Sequence, residues 1–145
     1  VRVGGKLLVL AIPHTYMNES GLAVRPLAKR YLGPEPGEHL VIVHDELDLP
    51  PGTVRIKAGG GTAGNNGLKS IQAHLHERDF LRVRIGIGKP RSSAHGVDHV
   101  LTRPSKAEKD LLAVAVEVAA DAVEAILEDG VAAAMNQFNI KIAEP

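Results

Sequence analysis

The run Leu40-Val41-Ile42-Val43 leaves this chain the fewest choices. It is too short for a helix of its own and has no polar position to offer to water, so it reads as a strand buried on both faces. Strands of that kind are covered by helices, which makes the chain α/β. His44-Asp45-Glu46-Leu47-Asp48 follows at once, so the Asp45 carboxylate lies where the strand leaves the core. Open α/β sheets receive their ligands at that end. The second organising stretch is Gly59-Gly60-Gly61-Thr62-Ala63-Gly64-Asn65-Asn66-Gly67. An acid after a strand can simply cap a turn, and glycines can simply make one. Together, with two asparagines in the second stretch, they point to a site.

The remaining elements follow in order. Val1 to Val3 and Lys6 to Ile12 read as strands joined by a Gly4-Gly5 hairpin turn, so the chain opens in the middle of a sheet and implies a lost upstream segment. Ser20 is expected to cap a helix with Leu22, Leu27, Tyr31 and Leu32 on its apolar face, kinked or restarted at Pro26 and stopped at Gly33-Pro34. Thr53 to Ala58 alternates as a half-exposed strand. A helix from about Asn66 to His76 turns Leu68, Ile71 and Leu75 inward, and Phe80 to Ile87 alternates as another strand with its arginines on one face. Lys89 to Val97 is the expected mobile loop. Ser105-Lys106-Ala107-Glu108 is a capping box that opens the longest helix, with a stripe of Leu111, Ala115, Val118, Ala122 and Ile126 and a stop at Gly130. A last helix is expected over Ala132 to Phe138.

With 145 residues, 44% of them hydrophobic, the chain can bury one core, and residues 1–145 are expected to form one domain. No apolar run has transmembrane length, and none has signal-peptide form. The absence of cysteine rules out a disulfide framework and thiolate metal sites, and suits a cytoplasmic protein. Neither His74 with His76 nor His95 with His99 has clear carboxylate or thiolate company at a strand end, so they read as surface residues and no metal site is expected. Net charge is zero, yet the middle is basic, with Lys57, Arg82, Arg84 and Lys89 among its cations, and the C-terminal third is acidic. That asymmetry fits either an anionic partner such as a nucleic-acid backbone or an ordinary solvated surface. Aromatics are few, so a nucleic acid would be held through its phosphates.

Gly59 to Gly64 formally matches the dinucleotide fingerprint. The acid expected to end the next strand is absent, because Asp79 begins that strand instead. The phosphate-loop pattern fails too, since Leu68 separates Gly67 from Lys69-Ser70. What survives is a flexible backbone delivering amide groups and Asn66 to a helix N-terminus, where an anion or a carbonyl oxygen can be met.

Thr15-Tyr16-Met17-Asn18-Glu19-Ser20-Gly21, His44-Asp45-Glu46-Leu47-Asp48, Gly59-Gly60-Gly61 through Asn66-Gly67-Leu68-Lys69, and Arg82-Val83-Arg84-Ile85-Gly86-Ile87-Gly88 stand in the order and spacing of one family. Over essentially its whole length the chain resembles bacterial peptidyl-tRNA hydrolase. The resemblance implies a single α/β domain of phosphorylase/hydrolase-like type, with a mixed sheet between helices. It further implies a cytoplasmic, usually monomeric enzyme that frees tRNA by cutting the ester between a peptide and the 3′ ribose, without metal or cofactor. By motif, Asp45 would orient the catalytic histidine, Asn18 and Asn66 would hold the CCA end and the peptide, and Tyr16 would contact tRNA. Lys57 and Arg84 would clamp an acceptor-stem phosphate. The family's base histidine belongs to an N-terminal segment with a strand and a site asparagine, and none of the seven histidines here matches it. The resemblance therefore implies a chain lacking that segment, weak or inactive alone, and prone to self-association through the exposed sheet. Ala63 and Asn65 stand where the family usually has Gly and His. The rival expectation is a non-catalytic RNA-binding module, in which Lys57, Arg84 and the glycine loop grip phosphates and Asp45 is structural.

Overall fold

The computed structural model describes residues 1–62, 64–89 and 105–139, so all of the expected mobile loop beyond Lys89 lies outside the described residues. Strands β1 (Arg2–Val3) and β2 (Lys6–Leu7) form a two-stranded antiparallel sheet. Gly4 and Gly5 both have positive φ, as a type I′ hairpin turn requires. A second sheet has the order β3-β5-β4, with β3 Val41–Glu46, β4 Val54–Ala58 and β5 Leu81–Gly86. Leu81 N–H donates to Leu40 O and Ile87 N–H to Glu46 O, so residue numbers rise together and β5 runs parallel to β3. Gly59 N–H donates to Phe80 O and Gly86 N–H to Thr53 O, so β4 runs antiparallel to β5. The fold is mixed α/β with a mixed sheet.

Two expectations about strands are corrected. The apolar run 40–43 was expected to be buried on both faces, but β3 is an edge strand with Val43 50% exposed. The centre is β5, where Leu81 and Val83 are sealed and Arg82, expected on a basic face, is only 2% exposed. An apolar run records a preference for burial but not which neighbours supply it. The second correction concerns Lys6 to Ile12. Pairing ends at Leu8, which exchanges hydrogen bonds with Val1, and Leu10 and Ile12 are 69% and 84% exposed. A strand needs a hydrogen-bonding neighbour, and residues 9–12 have none among the described residues.

Backbone contacts divide the chain into two compact units, Val1–Ile42 with Lys57–Arg82 and Val43–Ile56 with Val83–Pro145. In the first, helix α1 (Ser20–Leu32) packs on α2 (Asn66–Leu75). The predicted face of α1 is corrected: Gly21, Val24 and Ala28 are buried, while Leu22, Leu27 and Tyr31 are exposed. The reason is close approach, since a Cβ at Gly21 would sit 2.4 Å from the backbone oxygen of Ser70. Ser20 does not cap the helix either, because its hydroxyl donates back to Met17 O at 2.7 Å. Ser70 of α2 takes over that task, its Oγ accepting from Gly21 N–H at 2.9 Å. Val24, Leu68, Ile71 and Phe80 form the core of this unit, with Leu40, Ile42 and Leu75 packed against it. Helix α1 runs without a break through Pro26.

The second unit holds α3 (Lys106–Asp129) and α4 (Val131–Phe138). The Ser105 half of the capping box forms, with Ser105 Oγ accepting from Glu108 N–H at 3.2 Å, and Gly130 ends α3 at φ 88°. The buried stripe of α3 is Ala115, Ala119, Ala122 and Ala125, whereas Leu111 is 46% exposed. Just past α4, Asn139 treats strand β4 as a neighbouring strand would: Oδ1 accepts from Ile56 N–H and Nδ2 donates to Ile56 O, both at 2.8 Å. Since β4 is an edge strand, this side chain satisfies backbone groups that no strand among the described residues pairs. Asn139→Ala is expected to lower unfolding free energy by about 2 kcal/mol in urea titration. Wild-type stability in the variant would mean that water serves Ile56 equally well.

Candidate active site

In the first unit two loops meet at the N-terminal end of α2. A 3-10 turn spans Met17–Glu19, and the Met17 sulfur lies so close to Gly67 that a Cβ there would come within 2.8 Å of it. Across the contact, Asn65 caps α2, with Oδ1 accepting from Leu68 N–H at 3.0 Å and its own N–H donating to Thr62 O at 2.9 Å. Asn18 follows Met17 and Asn66 precedes Gly67, and both are exposed. Both residues therefore lie at the N-terminal end of α2, beside the contact of Met17 with Gly67. Tyr16, just ahead of the turn, is 81% exposed. The cap at Asn65 was legible as an Asn before a periodic apolar run. The Met17–Gly67 contact had no local signal.

The glycine loop is held from beneath. Arg82 donates to Gly60 O at 2.8 Å through Nη2 and to Gly61 O through Nη1, and Gln72 Nε2 donates to Gly60 O at 3.2 Å. Lys57 is half-buried along the same loop. Sequence reasoning counted Arg82 only as part of a basic face and missed this role.

The second unit carries Asp45 and Arg84. Asp45 is half-buried on β3, and the neighbouring His44 ring turns to the backbone, with Nδ1 donating to Asp45 O at 2.8 Å. His44 is therefore oriented by the main chain, as the alternation of a strand predicts. Arg84 lies 3.7 Å from Glu46 in a largely buried ion pair. Lys89 meets Asp48 at 2.9 Å, and that hydrogen bond holds its ammonium protonated above the usual lysine range. Among the described residues no group of acids and histidines is arranged to hold a metal ion, and no helix is long and apolar enough to cross a membrane.

A cleft of about 650 Å³ in the first unit is walled by Glu35, Glu38, Glu77 and Asp79. Its carboxylates repel a polyanion, whereas the glycine loop has the Lys57 ammonium beside it.

The mixed α/β fold is the class that solved structures share with this chain. The crystal structure of peptidyl-tRNA hydrolase from Acinetobacter baumannii superposes with a TM-score of 0.78 at 41% identity, covering 88% of this chain and 63% of that one. A complex of peptidyl-tRNA hydrolase with N-propanol gives 0.79 at 40%, covering 91% and 66%. The chain therefore spans less than two thirds of the length of these solved relatives. The peptidyl-tRNA hydrolase of Cutibacterium acnes is 49% identical over 137 residues, covering 94% of this chain and 68% of that one. That of Haemophilus influenzae is 46% identical over 139 residues, covering 94% and 70%. The model of the peptidyl-tRNA hydrolase family matches residues 1–145. The chain belongs to the peptidyl-tRNA hydrolase family.

Proposed function

We propose that this chain supplies the substrate-holding part of an enzyme that cuts the ester between a peptide and the 3′ ribose of tRNA, returning tRNA to translation. The observation that carries this reading is the pair of exposed amides, Asn18 and Asn66, at one end of α2 in a family member. Water adds to the acyl carbon, the bond to the ribose oxygen breaks, and that oxygen leaves with a proton. The step needs a base near neutral pH, a group fixing the tautomer of that base, and donors for the oxyanion. Asn18 and Asn66 hold the CCA end and peptide and can donate to the oxyanion. Asp45 accepts a hydrogen bond from an imidazole and fixes which nitrogen takes the proton from water. Tyr16 contacts the tRNA, and Lys57 and Arg84 clamp an acceptor-stem phosphate. None of the seven histidines matches the position of the family's base, so turnover by these 145 residues alone is expected to be slow.

Release of N-acetylaminoacyl groups from tRNA, measured beside gel retardation of the same tRNA, tests the function. Slow release that rises with protein concentration is the expected result. Retardation with release no faster than in buffer would make the chain an RNA-binding module instead.

A further inference from the structure

Among the described residues Arg82 is the largest side chain sealed from solvent, at 2% exposure on the central strand. Its guanidinium stacks on Phe80, 5.0 Å from the ring centroid, and donates to the carbonyls of Gly60 and Gly61. Burying a guanidinium is costly unless its donors are used, so the loop geometry it enforces needs a reason. In a trans peptide the C=O of one residue and the N–H of the next point in opposite directions, and the described backbone has no cis bond. Drawing the carbonyls of Gly60 and Gly61 onto Arg82 therefore turns the N–H groups of Gly61 and Thr62 away from it. Neither N–H has an intramolecular partner among the described residues. Lys57 lies at the same place, since a Cβ on Gly60 would fall 2.9 Å from its Nζ. Successive N–H groups on a turn with positive φ at Gly59 and Gly60, beside an ammonium, make a concave set of donors for phosphate oxygens. A cation on each carbonyl also polarises its peptide and strengthens the opposite N–H as a donor.

We propose that Arg82 is a positioning residue: by taking the loop carbonyls inward it presents the Gly61 and Thr62 N–H groups, with Lys57, to a backbone phosphate of RNA. This rests on the function proposed above and adds to it a buried side chain and two main-chain donors. The test is amide NMR on the 15N-labelled 145-residue chain, titrated first with inorganic phosphate and then with an acceptor-stem RNA minihelix ending in CCA. Both should move the Gly61 and Thr62 amide protons downfield. Arg82→Gln should lose these shifts and weaken minihelix affinity about tenfold, while Arg82→Lys retains part of both. The helix amides of Val131–Phe138 should stay at their wild-type positions in both variants. A minihelix that binds and shifts other amides but not these two overturns the proposal and leaves the function standing. A response to phosphate without one to the minihelix overturns it in favour of a free-anion site, and unchanged minihelix affinity in Arg82→Gln overturns it as well. Silence of every amide toward RNA removes both the proposal and the function beneath it. A wild-type titration in which these two amides stay still overturns the proposal even where a variant fails to fold.

Discussion

Free imidazole is expected to accelerate ester release from N-acetylaminoacyl-tRNA by the 145-residue chain by about ten- to a hundredfold, and Asp45→Ala is expected to remove that gain. A tethered general base contributes about a hundredfold to ten-thousandfold, and a diffusing one recovers only part because its position is not held. The gain depends on Asp45 because a carboxylate that accepts from one imidazole nitrogen leaves the other free to take a proton from water. Asp45 sits on β3 with the His44 ring committed to the main chain at 2.8 Å, so the imidazole that the proposed role requires is not that neighbour's. Binding of tRNA should survive Asp45→Ala, because Lys57 and the glycine loop belong to other elements. Equal acceleration in wild type and variant would show that imidazole acts on the ester in solution and would end the role given to Asp45.

Gly86→Ala is expected to cost about 3 kcal/mol or more, and to lower the thermal midpoint by roughly 6–12 °C. A Cβ at this position would fall 2.1 Å from the backbone oxygen of Pro50, and 2.9 Å from both the Cβ and the backbone oxygen of Leu49. A backbone oxygen cannot swing aside as a flexible side chain can. Relief requires the turn at 49–53 to lift. That strains three hydrogen bonds: Gly86 N–H to Thr53 O at 2.8 Å, Thr53 N–H to Pro50 O at 3.1 Å and Gly88 N–H to Leu49 O at 2.8 Å. Thermal melts followed by circular dichroism check the size. A variant melting with the wild type would mean that the turn shifts freely and that Gly86 is dispensable.

Local chemistry was legible before any coordinates. Ser105 with Glu108 announced the start of α3, Gly130 its end, and Gly4-Gly5 a hairpin, because caps and turns are decided by residues a few positions apart. The class of fold was legible for the same reason, from the lengths and periods of the apolar runs. The four motifs carried the family, which residues 1–145 match.

Packing was not legible. Leu22 and Leu27 outrank Gly21 and Ala28 on any hydrophobicity scale, yet α1 buries the small pair, because two helices that close together leave room for little else. Leu40 to Val43 looked more central than Leu81 to Ile85, yet β5 has neighbours on both sides and β3 on one. The charge of Arg82 suggested solvent, and its place beneath the glycine loop came from carbonyls more than twenty residues away in the chain. Sequence alone determined which segments become helix, strand and turn, since those preferences are short-range. Tertiary structure decided which face of each is inside and which polar groups meet, since burial and hydrogen bonding are settled by neighbours distant along the chain.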